Sequence, residues 1–269
     1  MPISWNLLSP DDSGDLILTS DYPATGRTVA GFADLFAGLP GTHAVWETAP
    51  PRSAGDAAAS ADERTGRWAA EVRESGRPVR AVLGFCVGSV FAAGLAERIA
   101  EWSAQPPRLI LFDPERPDPG LLHRHYRELM NGLAAYLGPG ELEVAQRAGD
   151  EAARETTDMA ALALVLADLF AEHGGRAFAR TGLDAVRSAE LVETFRSFLR
   201  YLVAAADLDP RKVWAQATAL SSATATSGLN ALPDEERART TAREIRFDVG
   251  HTELLRDDEV IRTVRDLMF

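Results

Sequence analysis

The sequence predicts an α/β protein with a mostly parallel central sheet and a helical insertion. Three observations predict it. Short apolar runs alternate with helix-period segments through the first 120 residues, the pattern of βαβ units. Strand-like runs then disappear over a stretch too long to be a loop. They return near the C-terminus and are followed by a closing helix. A core of residues 1–120 and 209–269 is therefore expected, with 121–208 inserted between its halves.

Asp15–Thr19 (DLILT) reads as the first strand, Thr28–Ala37 as a helix and His43–Glu47 as a weaker strand. Asp56–Glu74, rich in Ala, Glu and Arg, reads as one helix. Val79–Gly84 is a strand that runs into a tight turn, and Ser89–Ala104 is the helix after it. Arg108–Phe112 (RLILF) is a buried strand closed by the proline-rich Asp113–Gly120. Helical patterns over Leu122–Leu137, Thr157–Glu172 and Leu183–Ala206 fill the insertion. Strands are expected again at Lys212–Leu220 and Ala242–Val249, with a last helix over Asp257–Met268. Ala49–Gly55 and Ser221–Pro233 read as loops.

Composition narrows the function classes. The 269 residues are 46% apolar and 25% charged, ample for a packed core. The balance of 28 basic and 40 acidic residues leaves a net charge of −12, which argues against general nucleic-acid binding. Lys212 is the only lysine. The single cysteine, Cys86, excludes an internal disulfide and a cysteine-cluster metal site. Met1 to Asp15 lacks the basic and apolar regions of a signal peptide, and the apolar stretch Met159–Phe170 is too short to span a bilayer. A cytoplasmic protein that is not bound to membranes is expected, and no motif calls for a metal, nucleotide or flavin.

The chemistry gathers at one turn. Gly84-Phe85-Cys86-Val87-Gly88 lies between a predicted strand and a predicted helix, with the G-x-nucleophile-x-G form of a nucleophile elbow and cysteine as the nucleophile. Glycines flank such a turn because a Cβ on either side would clash. The turn lifts Cys86 above the C-terminal edge of the sheet, where open α/β folds bind ligands. It also sets the thiol at a helix N-terminus, whose partial positive charge favours a thiolate. A small buried cysteine with packing glycines is the plainer alternative.

A thiol nucleophile needs a base, and five histidines are present. His43, His123, His125 and His173 read as solvated or structural, the last at a helix end before Gly174-Gly175. His251 differs, because it follows the last strand and Gly250. That is where an α/β-hydrolase carries its base, and nucleophile–acid–histidine is that fold's chain order. Asp113, at the end of the strand after the nucleophile helix, is the candidate to orient the imidazole. The other usual position, the loop Ser221–Leu232, contains no acid. An oxyanion hole needs two backbone N–H groups. Val87 should supply one and the loop after the first strand the other, with Tyr22 preferred and Asp21 its nearest rival, since Pro23 has no N–H.

The elbow, the position of Asp113 and the closing Gly-His-x-x-Leu-Leu segment together resemble the thioesterase branch of the α/β-hydrolases, which releases chains from non-ribosomal peptide and polyketide assembly lines. The resemblance covers essentially the whole chain, although Thr19–Arg27 lacks the Gly-rich character common in that branch. With Cys86 as nucleophile the chain looks like the Dieckmann cyclases that form tetramic acids and pyridones. The resemblance implies a Cys86–Asp113–His251 triad, a substrate delivered on the phosphopantetheine of an acyl or peptidyl carrier protein, and no cofactor held by the chain itself. It implies a helical lid whose Phe170, Phe178, Phe195 and Phe198 wall a dry acyl chamber. Arg27 and Arg116 are candidate phosphate contacts, with surface charge the simpler reading. A hydrolytic or editing thioesterase and a non-catalytic relative are the competing readings.

Overall fold

The computed structural model describes residues 3–9, 14–22, 29–39, 41, 43–51 and 53–269. The elements run β1 (Trp5–Ser9), β2 (Leu16–Ser20), α1 (Phe32–Ala37), β3 (Ala44–Thr48), α2 (Ala54–Ala57), α3 (Ala61–Glu74), β4 (Val79–Phe85), α4 (Gly88–Ala100) and β5 (Arg108–Phe112). They continue with α5 (Pro119–Gly132), α6 (Glu141–Glu155), α7 (Met159–Arg180), α8 (Ala185–Ala206), α9 (Arg211–Trp214), β6 (Thr218–Ser221), α10 (Asp234–Thr240), β7 (Arg243–Arg246) and α11 (Asp258–Met268). Two compact units result. One comprises 1–52, 59–116 and 207–269, and the other 53–58 and 117–206.

The first unit is built on a seven-stranded sheet of order β1-β3-β2-β4-β5-β6-β7, parallel except for β1. From β2 the chain steps outward to β3, then returns to β4 on the other side and continues outward. The order therefore reverses between β2 and β4, which opens a crevice at their C-terminal ends. Apolar side chains are buried on both faces of the sheet, as parallel strands require. One face packs Ile17, Leu83, Phe85, Ile110 and Phe112 against Phe32, Leu254, Val260 and Val264. Elsewhere in the unit Trp5, Trp46, Trp68 and Phe91 form a chain of rings, with neighbouring centroids 5.6–6.3 Å apart.

The sequence reading departs from the structure at identifiable points. It missed β1, whose only buried residue is Trp5, because one residue cannot display an alternating pattern. The expected helix Asp56–Glu74 is split: Ser60 accepts from the Glu63 N–H and starts α3 with a capping box. The expected strand Lys212–Leu220 begins as helix α9, because Trp214 turns inward and its Nε1 donates to the Ser89 carbonyl at 3.1 Å. Only Thr218–Ser221 is strand. The short helix α10 was read as nothing, and its Arg237 pairs with Glu244 of β7. Thr28, where the first helix was expected to begin, lies outside the described residues.

The second unit is helical. Here α5, α6, α7 and α8 pack on one another, and the short α2 packs against α8. Tyr126 is buried and donates its hydroxyl to the Ala145 carbonyl at 2.9 Å, and burial pushes its pKa up to about 12. Phe170, Phe178 and Phe195 form this unit's own core, their rings meeting edge to face. Gly174-Gly175 does not end a helix as expected. Helix α7 runs through both, and Gly174 packs against the Phe170 ring. Among the described residues no helix is long and apolar enough to cross a membrane.

A Cβ at Gly88, the first residue of α4, would run into the Ser20 carbonyl oxygen at the end of β2. Gly88→Ala should therefore push α4 off the sheet and cost about 3 kcal/mol, as overpacking does. A lowered midpoint of chemical denaturation at unchanged slope would record it.

Candidate active site

Strand β4 ends at Phe85, and Cys86 takes φ 51°, in the left-handed region that a side chain rarely adopts. Neighbours hold it there. Its N–H donates to the Phe112 carbonyl at 2.9 Å, and its own carbonyl accepts from Ser89 N–H at 3.1 Å and Glu115 N–H at 3.3 Å. A Cβ at Gly84 would lie 2.5 Å from the Ser89 Cα. The flanking glycines thus let strand, turn and helix pass at contact distance.

Asp113 sits at the equivalent point one strand over and also adopts positive φ, at 41°. Its N–H donates to the Leu220 carbonyl at 3.0 Å, which ties the end of β5 to β6. The carboxylate is fully buried and both oxygens are engaged. Oδ1 accepts from Ser222 N–H at 2.8 Å, and Oδ2 lies 2.7 Å from His251 Nδ1. Gly228, at φ 56°, passes so close that a Cβ there would lie 2.6 Å from the Asp113 Cα. Asn230 braces the same loop by donating to the Ser222 and Thr224 carbonyls at 2.8 and 2.9 Å.

His251 opens a short 3-10 turn, His251–Arg256. Its N–H donates to Thr224 Oγ1 at 2.9 Å, and its ring stacks on Phe85 with centroids 4.7 Å apart and planes 16° apart. The imidazole is fixed by backbone, ring face and carboxylate, and a carboxylate on Nδ1 leaves Nε2 as the nitrogen for chemistry. The other histidines are occupied elsewhere: His43 lies against Phe269, His123 against Asp150, His125 against Glu128, and His173 is buried in α7.

The sulfur environment differs from the sequence expectation. Cys86 packs against the apolar cluster, and its Sγ donates to Glu115 Oε2 at 3.8 Å. Burial first, then the negative charge of Glu115, pushes the thiol pKa well above its ordinary value, with Asp21 and Asp113 adding to the shift. The Val87 N–H opposes them without prevailing. The lowering of this thiol expected from a helix N-terminus is therefore not what the site produces.

The two candidate oxyanion donors fare differently. Val87 caps α4 and its N–H faces the sulfur. The Tyr22 N–H is already donated to Asp21 Oδ1 at 2.7 Å, so an oxyanion would reach it only with that carboxylate moved aside. The sequence reading had no signal for this, since a side chain bonding to the next residue's N–H leaves no pattern. Arg116 is exposed, and Arg27 lies outside the described residues. Among the described residues no cluster of His, Cys, Asp and Glu could hold a metal ion.

Sheet order, crevice and elbow define the α/β-hydrolase fold, and the chain has that fold. No protein-family model matches the sequence, and no curated protein does. Solved structures do match. The Vlm2 thioesterase domain, with genetically encoded 2,3-diaminopropionic acid and bound with a dodecadepsipeptide, is 14% identical, with a TM-score of 0.53 and 100% of this chain and 99% of that one covered. The NocB thioesterase domain, in covalent complex with a fluorophosphonate nocardicin G analog, is 17% identical, with a TM-score of 0.54 and coverage of 97% and 96%. The RedJ thioesterase from the prodiginine biosynthetic pathway in Streptomyces coelicolor is 15% identical, with a TM-score of 0.51 and coverage of 94% and 86%. At these identities the likeness is one of fold.

The raised thiol pKa has a direct readout. Iodoacetamide should alkylate the folded protein slowly at neutral pH, with a rate still climbing well above about pH 8.5, the ordinary value for the group. Denatured protein, freed of burial and of the facing carboxylates, should show a midpoint of about 8.5. Coincident profiles for the two states would contradict the assignment.

Proposed function

We propose that the protein is a chain-releasing thioesterase-like enzyme of the Dieckmann cyclase type. Its substrate is a β-ketoacyl-aminoacyl chain delivered as a thioester on the phosphopantetheine of an acyl or peptidyl carrier protein, in the cytoplasm, without a cofactor of its own. The observation that carries the reading is a lone cysteine on a left-handed turn at the end of β4, in the same unit as His251 paired with the buried Asp113. The likeness to three thioesterases supports it as an analogy of fold.

The chemistry follows from these groups. His251, steadied by Asp113, takes the proton from Cys86 as the sulfur attacks the carrier thioester. The pantetheine thiolate leaves and receives that proton from His251. Neutral His251 then removes a proton from the methylene between the two carbonyls. The carbon nucleophile attacks the Cys86 thioester, a ring C–C bond forms, and the C–S bond breaks. Imidazolium returns its proton to the sulfur. Cysteine suits this second step, because a thioester is a better electrophile than a serine oxoester and thiolate is the better leaving group. Ring closure is intramolecular, which gives it a large advantage over attack by water. Val87 N–H, with Tyr22 N–H once Asp21 releases it, is assigned to the developing oxyanion.

A hydrolytic or editing thioesterase is the second reading, favoured by the names of the structural neighbours. It uses the same groups and admits water to the acyl-enzyme.

A synthetic β-ketoacyl-aminoacyl thioester should be converted to a ring; linear acid as the only product would leave the hydrolytic reading in its place. Cys86→Ala should abolish both turnover and the acyl-enzyme adduct in intact-mass spectra. Asp113→Asn should lower kcat on the order of 10³-fold or more, with the fold retained.

A further inference from the structure

Glu115 has no part in the reaction as written above, yet it is bound to the nucleophile's residue twice. Its Oε2 accepts from Cys86 Sγ at 3.8 Å, and its backbone N–H donates to the Cys86 carbonyl at 3.3 Å. The chain delivers it there through Asp113-Pro114-Glu115. One short strap after β5 thus carries both the carboxylate that holds the imidazole and a carboxylate that holds the thiol. Glu115 is half-buried, so its charge is only partly screened by water.

We propose that Glu115 is a positioning residue for Cys86: its carboxylate holds the sulfur as S–H in the free protein, and an incoming thioester chain that displaces it hands the sulfur to His251. The inference rests on the reading of Cys86 as the nucleophile. A carboxylate acts on a thiol in two ways with the same sign. It accepts a hydrogen bond from S–H, and it repels the thiolate. The groups that shift the thiol are Glu115 and Asp113 beyond β5, Asp21 beyond β2 and the Val87 N–H at the start of α4. Asp113 is committed to His251 and Ser222, and Asp21 bonds the Tyr22 N–H. Glu115 is the carboxylate of the three that meets the sulfur itself. Holding the thiol protonated protects it, because the thiolate is the form that oxidants and stray electrophiles attack. Acylation is then coupled to arrival of a chain that fits.

Cys86 is the only cysteine, so alkylation of the full-length protein by iodoacetamide, followed by intact mass across pH, reports this one sulfur. Glu115→Gln keeps the shape and removes the charge. Its alkylation profile should move to lower pH, with the rate at neutral pH rising about tenfold for each unit of displacement. Glu115→Asp, which keeps the charge but withdraws it by one methylene, should fall between the two. A Gln profile that coincides with wild type or moves to higher pH, in a variant that melts at the wild-type temperature, overturns the proposal. Should the Gln variant melt early, the Asp variant decides, and a profile identical to wild type overturns the proposal equally. The assay uses no thioester, so its failure leaves the release chemistry standing, and a failed cyclisation assay leaves this result standing.

Discussion

The contact on which the site depends is the one between the first residue of α4 and the last carbonyl of β2. Where the strand order reverses, the loop after β2 and the turn after β4 face each other across the crevice. The backbone can close that gap only if the helix begins with a glycine. Closing it forces Cys86 into the left-handed region, at a cost of about 1–3 kcal/mol. The hydrogen bond from its N–H to Phe112, those its carbonyl accepts from Ser89 and Glu115, and packing against the core offset the strain. Asp113 repeats the arrangement on the next strand. The site is thus two strained corners side by side, and each is stitched to the strand beyond it.

Electrostatics then sets the state of those corners. A helix N-terminus contributes roughly half a positive charge, which by itself favours an ionised sulfur. Burial and three nearby carboxylates act the other way and push the thiol pKa well above its ordinary value. The sulfur holds its proton more tightly than an ordinary thiol, while the imidazole is fixed by a buried carboxylate and a stacked ring.

Much of this was legible in the sequence, and the exceptions have physical causes. Strands buried on both faces announce themselves as continuous apolar runs: Arg108–Phe112 was located to the residue, and β2, β3 and β4 to within one residue at either end. The elbow was legible because its glycines are demanded by contact distance, and His251 because it follows the last strand. The edge strand β1, held by one tryptophan, was not legible, and the other edge strand was expected over Ala242–Val249 where only Arg243–Arg246 is strand. The start of β6 was misjudged because Trp214 and Val213 look strand-like in isolation, while tertiary packing under α4 makes a helical turn the better use of them. Glu115 and the bond from Tyr22 to Asp21 were invisible because neither belongs to a periodicity or a motif. Both arise from where a side chain happens to reach once the backbone is in place.

The backbone angle at Cys86 also limits what could ever replace it. Side chains that fork at the β-carbon crowd their own main chain at positive φ more than straight ones do. Threonine is thereby disfavoured at this corner. Serine, unbranched like cysteine, fits the turn without rebuilding it, so the exchange of sulfur for oxygen in this scaffold comes down to a single atom.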